Sequence, residues 1–295
     1  YAVSIKYFTS ADPCPYKRID YDAYLSLIEG GELEIDKKHI YFNQHEADTI
    51  SERIAAAFIK SIYPVKTGLD SKGLSTQLVL NRDEIAERFQ LHRDALKKHY
   101  ASKTLDRVLT KFAYCVQHPI CVHDILRKDS FCNLLFHPKM LGYRQGEEIA
   151  VRLLLSLVPY SRPLLFKGTQ TLVETFNEYA AHVIRFESEV LPAAAYFLPK
   201  NVDLEQRYYM QLDVQFALDI YHLFAMHTKA TFLLFTIDKE GRRSVCKRIE
   251  FTQYEQDIKY KNLGIYNKEE SFLMDEADAC EAHKSKGGLW NFFSG

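Results

Sequence analysis

Between positions 115 and 137 the chain places Cys115, His118, Cys121, His123, Cys132 and His137. Thiolate and imidazole are the ligands that Zn²⁺ prefers, and four of them could close a tetrahedral site. The spacing, C-x2-H-x2-C-x-H-x8-C-x4-H, matches no zinc-finger or knuckle pattern. Each Cys also has apolar neighbours, among them Tyr114, Val116, Ile120, Val122 and Phe131, the setting of a buried structural thiol. The expectation is therefore no metal and no other cofactor, with the cluster kept as a question for the structure.

A second set lies in Asn81-Arg-Asp-Glu-Ile-Ala-Glu-Arg-Phe-Gln-Leu-His-Arg-Asp-Ala-Leu-Lys-Lys-His-Tyr100. It has the features of a helix-turn-helix over 82–100. Ala86 is a small residue where two helices could meet, and Ile85, Phe89, Leu91 and Leu96 could pack them. Arg93, Lys97, Lys98 and His99 would lie along the second helix, with Arg88 beside them to meet phosphates. Gln90 stands where such turns usually carry Gly, His99 takes a normally apolar position, and Asp83, Glu84, Glu87 and Asp94 dilute the charge. Two amphipathic helices with solvated lysines would give the same pattern.

A third set is at the end of the chain. Leu289, Trp290, Phe292 and Phe293 follow Gly287-Gly288, a flexible joint ahead of an aromatic cluster, which suits a docking peptide or a tail folded onto its own domain. Catalytic patterns are poorer. There is no Gly-rich phosphate loop, no H-E-x-x-H, no G-x-S-x-G and no kinase set, so the expectation is not an enzyme.

These residues need elements to hold them. With 295 residues and 47% hydrophobic content the chain can bury a large core, and Lys+Arg 38 against Asp+Glu 39 excludes a generically basic nucleic-acid coat. Val3–Phe8 alternates as a strand. Asp20 suggests an N-cap for a helix over 21–28 that Gly30-Gly31 would stop. Leu33–Ile35 and His39–Phe42 suggest a hairpin about Asp36-Lys37-Lys38. Asn43 with Glu46 resembles a capping box before a helix that ends at Pro64. Residues 64–75 have loop composition, and 76–80 a strand.

From Asn81 to about Pro199 the pattern predicts mainly helix. A long helix over 202–226 is predicted from Leu204, Tyr208, Leu212, Phe216, Ile220 and Leu223. Thr231–Ile237 and Ser244–Phe251, joined by Asp238-Lys-Glu-Gly241, predict a hairpin over 231–251.

The expected fold class is thus α+β, mainly helical. It divides into a mixed N-terminal part (1–66), a helical body (67–266) and an acidic segment with the Trp/Phe tail (267–295). All six cysteines read as reduced thiols, since a disulfide-framed secreted domain is usually smaller and denser in Cys. No leader pattern opens the chain, and its start at Tyr1 is compatible with an upstream segment.

The stretch Val190-Leu-Pro-Ala-Ala-Ala-Tyr-Phe-Leu-Pro-Lys-Asn-Val-Asp-Leu-Glu-Gln-Arg-Tyr-Tyr-Met-Gln-Leu212 resembles part of the cytosolic domains of DotM/IcmP and conjugative TrbA proteins, and Leu80–Leu91 is similar to another part. The Trp- and Arg-rich positions of that family stretch are not reproduced, and no functional residue is carried over. The resemblance implies a mainly helical adaptor that docks proteins in a membrane-bound secretion or conjugation complex. The combined expectation is a non-enzymatic protein-binding or assembly module, in the cytoplasm or on the cytoplasmic face of a membrane complex, with DNA binding through 82–100 as the alternative.

Overall fold

The computed structural model describes residues 1–9, 14–28, 30–70, 75–100, 102–139, 144–158, 161–175, 181–193, 198, 207–219 and 224–256. The chain opens with three strands, β1 (Ala2–Thr9), β2 (Lys17–Ile28) and β3 (Glu32–Phe42), then helix α1 (Ile50–Ile62) and strands β4 (Val65–Leu69) and β5 (Ser75–Val79). Four helices follow, α2 (Arg82–His99), α3 (Lys103–Gln117), α4 (Pro119–Arg127) and α5 (Ser130–Leu135). The remainder is strand: β6 (Glu148–Leu155), β7 (Leu164–Thr175), β8 (Ala181–Ser188), β9 (Leu191–Pro192), β10 (Tyr208–Asp219), β11 (Ala225–Ile237) and β12 (Arg243–Tyr254).

These strands form one antiparallel sheet in the order β5-β4-β3-β2-β1-β12-β11-β10-β8-β7-β6, with β9 beside β10. Two meanders are therefore joined where the first strand meets the last, Ile5 opposite Phe251. The mainly helical expectation is overturned, because strand outweighs helix by 49% to 27%.

The physical reason is visible in β10. Met210, Leu212, Val214, Phe216 and Leu218 are all buried and alternate with Gln211, Asp213, Gln215 and Ala217. A spacing of four fits a helix and a strand equally, so Leu212 and Phe216 do not separate the two, whereas Met210, Val214 and Leu218 demand a period of two. The region from 148 to 193, also expected to be helical, is strand wherever it forms a regular element. β2 corrects the helix over 21–28 in the same way, with Ile19, Tyr21 and Ala23 buried.

β3 runs unbroken through Asp36-Lys37-Lys38. The chain bulges at His39 (φ 49°) instead of turning, because Lys37 points into the core between two outward neighbours. β4 occupies residues expected to be loop. The hairpin over 231–251 is present as β11–β12. Its turn is fastened by Asp238 Oδ1, which accepts from the backbone N–H groups of Glu240 (3.0 Å) and Arg242 (2.7 Å), and by Gly241 at φ 80°.

One face of the sheet carries the helices. Val3, Ile5, Ile19, Tyr21, Leu33, Ile35, Leu212, Val214, Phe232 and Phe251 share a core with Phe58, Phe89, Leu109, Val122, Phe131 and Leu135. Of α5, Ser130, Phe131, Cys132, Leu134 and Leu135 are all buried, so this short helix is the centre of the packing.

Candidate functional site

A surface recess lies between α1 and α2. α1 begins with a complete capping box, Thr49 accepting from Glu52 N–H while Glu52 reaches back to Thr49 N–H. Arg53 Nη1, at the start of α1, donates to Tyr100 Oη just past the end of α2 (3.2 Å), and Arg88 of α2 donates to the carbonyls of Ser61, Ile62 and Pro64 at the other end of α1. The two helices therefore run antiparallel, pinned at both ends. Phe58 of α1, Phe89 of α2 and Phe112 of α3 stack beneath them, with centroids 4.5–6.3 Å apart.

Above this base is an open groove of about 460 Å³ lined by Arg53, Ala57, His92, Ala95, Leu96, His99 and Tyr100. Ala57, Ala95 and Leu96 make part of its lining small and apolar. Arg53 is its cation, while burial, with the positive charges of Lys60 and Arg88 nearby, lowers the pKa of His92 below the ordinary histidine value and keeps that ring neutral at neutral pH. Two acids next to lining residues are already engaged: Glu52 caps its own helix, and Asp94 pairs with Arg93 and accepts from Gln90.

Of the residues expected to meet phosphates, only His99 lines this groove. α2 is a single helix through Gln90, so the predicted turn is absent. Gln90 instead donates from Nε2 to Asp94 (3.0 Å), an i,i+4 bond that supports continuous helix. Arg88 is spent on the last carbonyls of α1, Arg93 pairs with Asp94 (3.2 Å) and Lys97 with Asp106 (3.5 Å). Lys98 is exposed and does not line the groove.

The Cys/His cluster is dispersed. Cys115 and Cys121 are half-buried neighbours on α3 and α4, and burial first, then the neighbouring thiol, raises the Cys115 pKa. His123 Nδ1 accepts the backbone N–H of Val79 (3.0 Å), His118 packs on the Tyr114 ring, and Cys132 and His137 lie in the core. Among the described residues no three His, Cys, Asp or Glu side chains converge as a metal-binding group. Cys14 is disulfide-bonded, which corrects the reading of all six cysteines as free thiols, while Cys115, Cys121, Cys132 and Cys246 are free. Leu289, Trp290, Phe292 and Phe293 lie outside the described residues.

One constellation has no signal in the sequence. Lys37 Nζ meets Asp129 Oδ2 at 2.5 Å, both side chains nearly sealed from solvent, and donates to Tyr21 Oη at 3.2 Å. Tyr63 Oη donates to the same carboxylate oxygen (2.8 Å), and Asp129 Oδ1 accepts from Cys132 N–H as the cap of α5. The ammonium sits 4.3 and 4.6 Å from the Tyr21 and Tyr63 ring centres. These residues come from β2, β3, the end of α1 and the start of α5, which ties the central helix to the sheet. A neighbouring interior cavity lined by Ile5, Ser130, Leu155 and Phe251 holds about 10 Å³, room for about one water and no substrate. No known protein family matches the chain, and no curated protein matches it either. No helix among the described residues is long and apolar enough to cross a membrane.

Proposed function

We propose that the protein is a protein-binding module whose α1–α2 groove receives an acidic amphipathic segment of a partner. The observation that supports this most is the combination in one recess of apolar Ala57, Ala95 and Leu96 with a rim of Arg53 and His99, the Lys60 ammonium lying near its His92 wall. An apolar stripe of the partner would meet the apolar residues, and its carboxylates would face the rim. Duplex DNA is the weaker reading, because Arg88, Arg93 and Lys97 already have partners and α2 lacks the two-helix geometry that would present it to a major groove.

Fluorescence anisotropy separates the two. The probes are a labelled acidic amphipathic peptide with Leu and Glu at helical spacing, the same peptide with Lys in place of Glu, and a labelled random-sequence DNA duplex. The acidic peptide is expected to bind, and Arg53→Glu to weaken it about tenfold or more while Lys97→Glu/Lys98→Glu changes it little. Binding of the duplex alone, steeply weakened by salt and by Lys97→Glu/Lys98→Glu but indifferent to Arg53→Glu, refutes the proposal in favour of DNA.

A further inference from the structure

The two ends of the sheet are treated differently. At one end β5 is stoppered: α4 packs against it, and His123 Nδ1 takes up the Val79 N–H. At the other end β6 pairs with β7 on one side, and no described strand lies on its other side. Unprotected edges are templates for another strand, and proteins usually blunt them with bulges, prolines or inward charges. The Glu148–Arg152 half of β6 has none of these.

Its sequence, Glu148-Ile-Ala-Val-Arg152, is complementary to itself when reversed about Ala150. Glu148, Ala150 and Arg152 are exposed on one face, and Ile149 and Val151 are half-buried on the other. If β6 pairs antiparallel with β6 of a second copy centred on Ala150, Glu148 faces the second copy's Arg152, and Ile149 faces its Val151, twice over by symmetry. The charges need such partners. Arg152 lies directly opposite Lys167 of β7, a like-charge pair, and neither Glu148 nor Arg152 forms an ion pair among the described residues. Glu189 N–H donates to the Lys167 carbonyl on the other side of β7, a backbone bond that leaves the like charges of Lys167 and Arg152 facing each other.

We propose that the chain forms a two-fold symmetric dimer by antiparallel β6–β6 pairing centred on Ala150, which extends the sheet across both copies. The occupant of this edge is a second copy because both the ionic and the apolar rows are reciprocal, as an isologous interface requires. The proposal is independent of the α1–α2 groove.

Sedimentation velocity of the full chain over a wide concentration range tests it. A concentration-dependent dimer is expected. Arg152→Glu and Glu148→Arg should each weaken association by about tenfold or more, since each turns two attractive pairs into two repulsive ones. The combined Glu148→Arg/Arg152→Glu chain should recover dimerisation, because the swapped charges face each other again. Ala150→Cys should form a disulfide between copies on mild oxidation, identified by mass spectrometry of the linked peptide, since directly opposed residues in an antiparallel pair lie about 4.5–5.5 Å apart. At concentrations low enough for the unaltered chain to be monomeric, thermal unfolding of each variant should match it, as the substituted residues are exposed. A monomer at all concentrations overturns the proposal. So does a dimer that Arg152→Glu leaves intact and that Ala150→Cys does not cross-link.

Discussion

His137 gives a stability effect whose size follows from its surroundings. The ring is 6% exposed, stacks on Phe216 at 5.7 Å and meets Phe186 edge-on at 6.4 Å, and its Nε2 has no hydrogen-bond partner. Burial first, and the nearby Lys139 ammonium second, lower its pKa from 6.5 to about 3. The folded protein therefore keeps this imidazole neutral, while the unfolded chain takes up a proton below about pH 6.5. Because the unfolded state binds more protons there, stability falls as pH drops from 6.5 towards 3, and the contribution is fully present only above 6.5.

At pH 5 the unfolded chain lies about 1.5 pH units below its histidine pKa, which corresponds to a loss of roughly 2 kcal/mol relative to neutral pH. His137→Phe keeps a ring between Phe216 and Phe186 and removes the titration. Urea unfolding of both proteins at pH 7.5 and pH 5 measures the difference. The unaltered chain should lose about 2 kcal/mol more than the variant over this interval. Lys139, whose own pKa burial lowers to about 7, is present in both and cancels in the comparison. Equal losses would refute the reasoning, whatever the variant's absolute stability, because they would mean that the buried ring accepts its proton without cost.

Two further perturbations test the packing. Lys37→Met leaves the Asp129 carboxylate buried without its cation and should cost about 3–5 kcal/mol in urea unfolding; adding Asp129→Asn, which can still cap α5, should recover a large part of it, so additive losses would show that the pair is not coupled. Gly168→Ala on β7 would drive a Cβ into the Glu187 carbonyl oxygen, a backbone atom that cannot swing aside, and should destabilise by about 1–3 kcal/mol or more; an unchanged unfolding midpoint would mean that β7 and β8 separate freely there.

Much of the local structure was legible in the residues. The strand over Val3–Phe8, the helix ending before Pro64 and the β11–β12 hairpin follow from alternation, capping and turn chemistry acting within a few residues. The true cap of α1 is Thr49 with Glu52, not Asn43 with Glu46, which lie before the helix. The errors share one cause. In β10 apolar residues spaced by four suggest a helical stripe although the residues between them keep a period of two, and along β2 a cap-like Asp20 and the Gly30-Gly31 pair suggest helix ends although Ile19, Tyr21 and Ala23 alternate as a strand. The helix-turn-helix failed on a related point, since a basic amphipathic stretch with a small residue does not say whether a turn interrupts it.

The sequence by itself determined the alternation of β1, the hairpin of β11 and β12 with its turn at Asp238–Gly241, and that no generically basic surface would drive binding. Only the tertiary structure decided which side chains meet. Lys37 and Asp129 are 92 positions apart and become partners because β3 and the start of α5 are pressed together in the core. The groove exists because Arg53 and Arg88 tie two helices at opposite ends. Among the described residues β6 ends the sheet because the meander stops there, while α4 covers the other end. Periodicity is a property of neighbours along the chain, whereas a site is a property of segments brought together by burial, and composition carries no record of that juxtaposition.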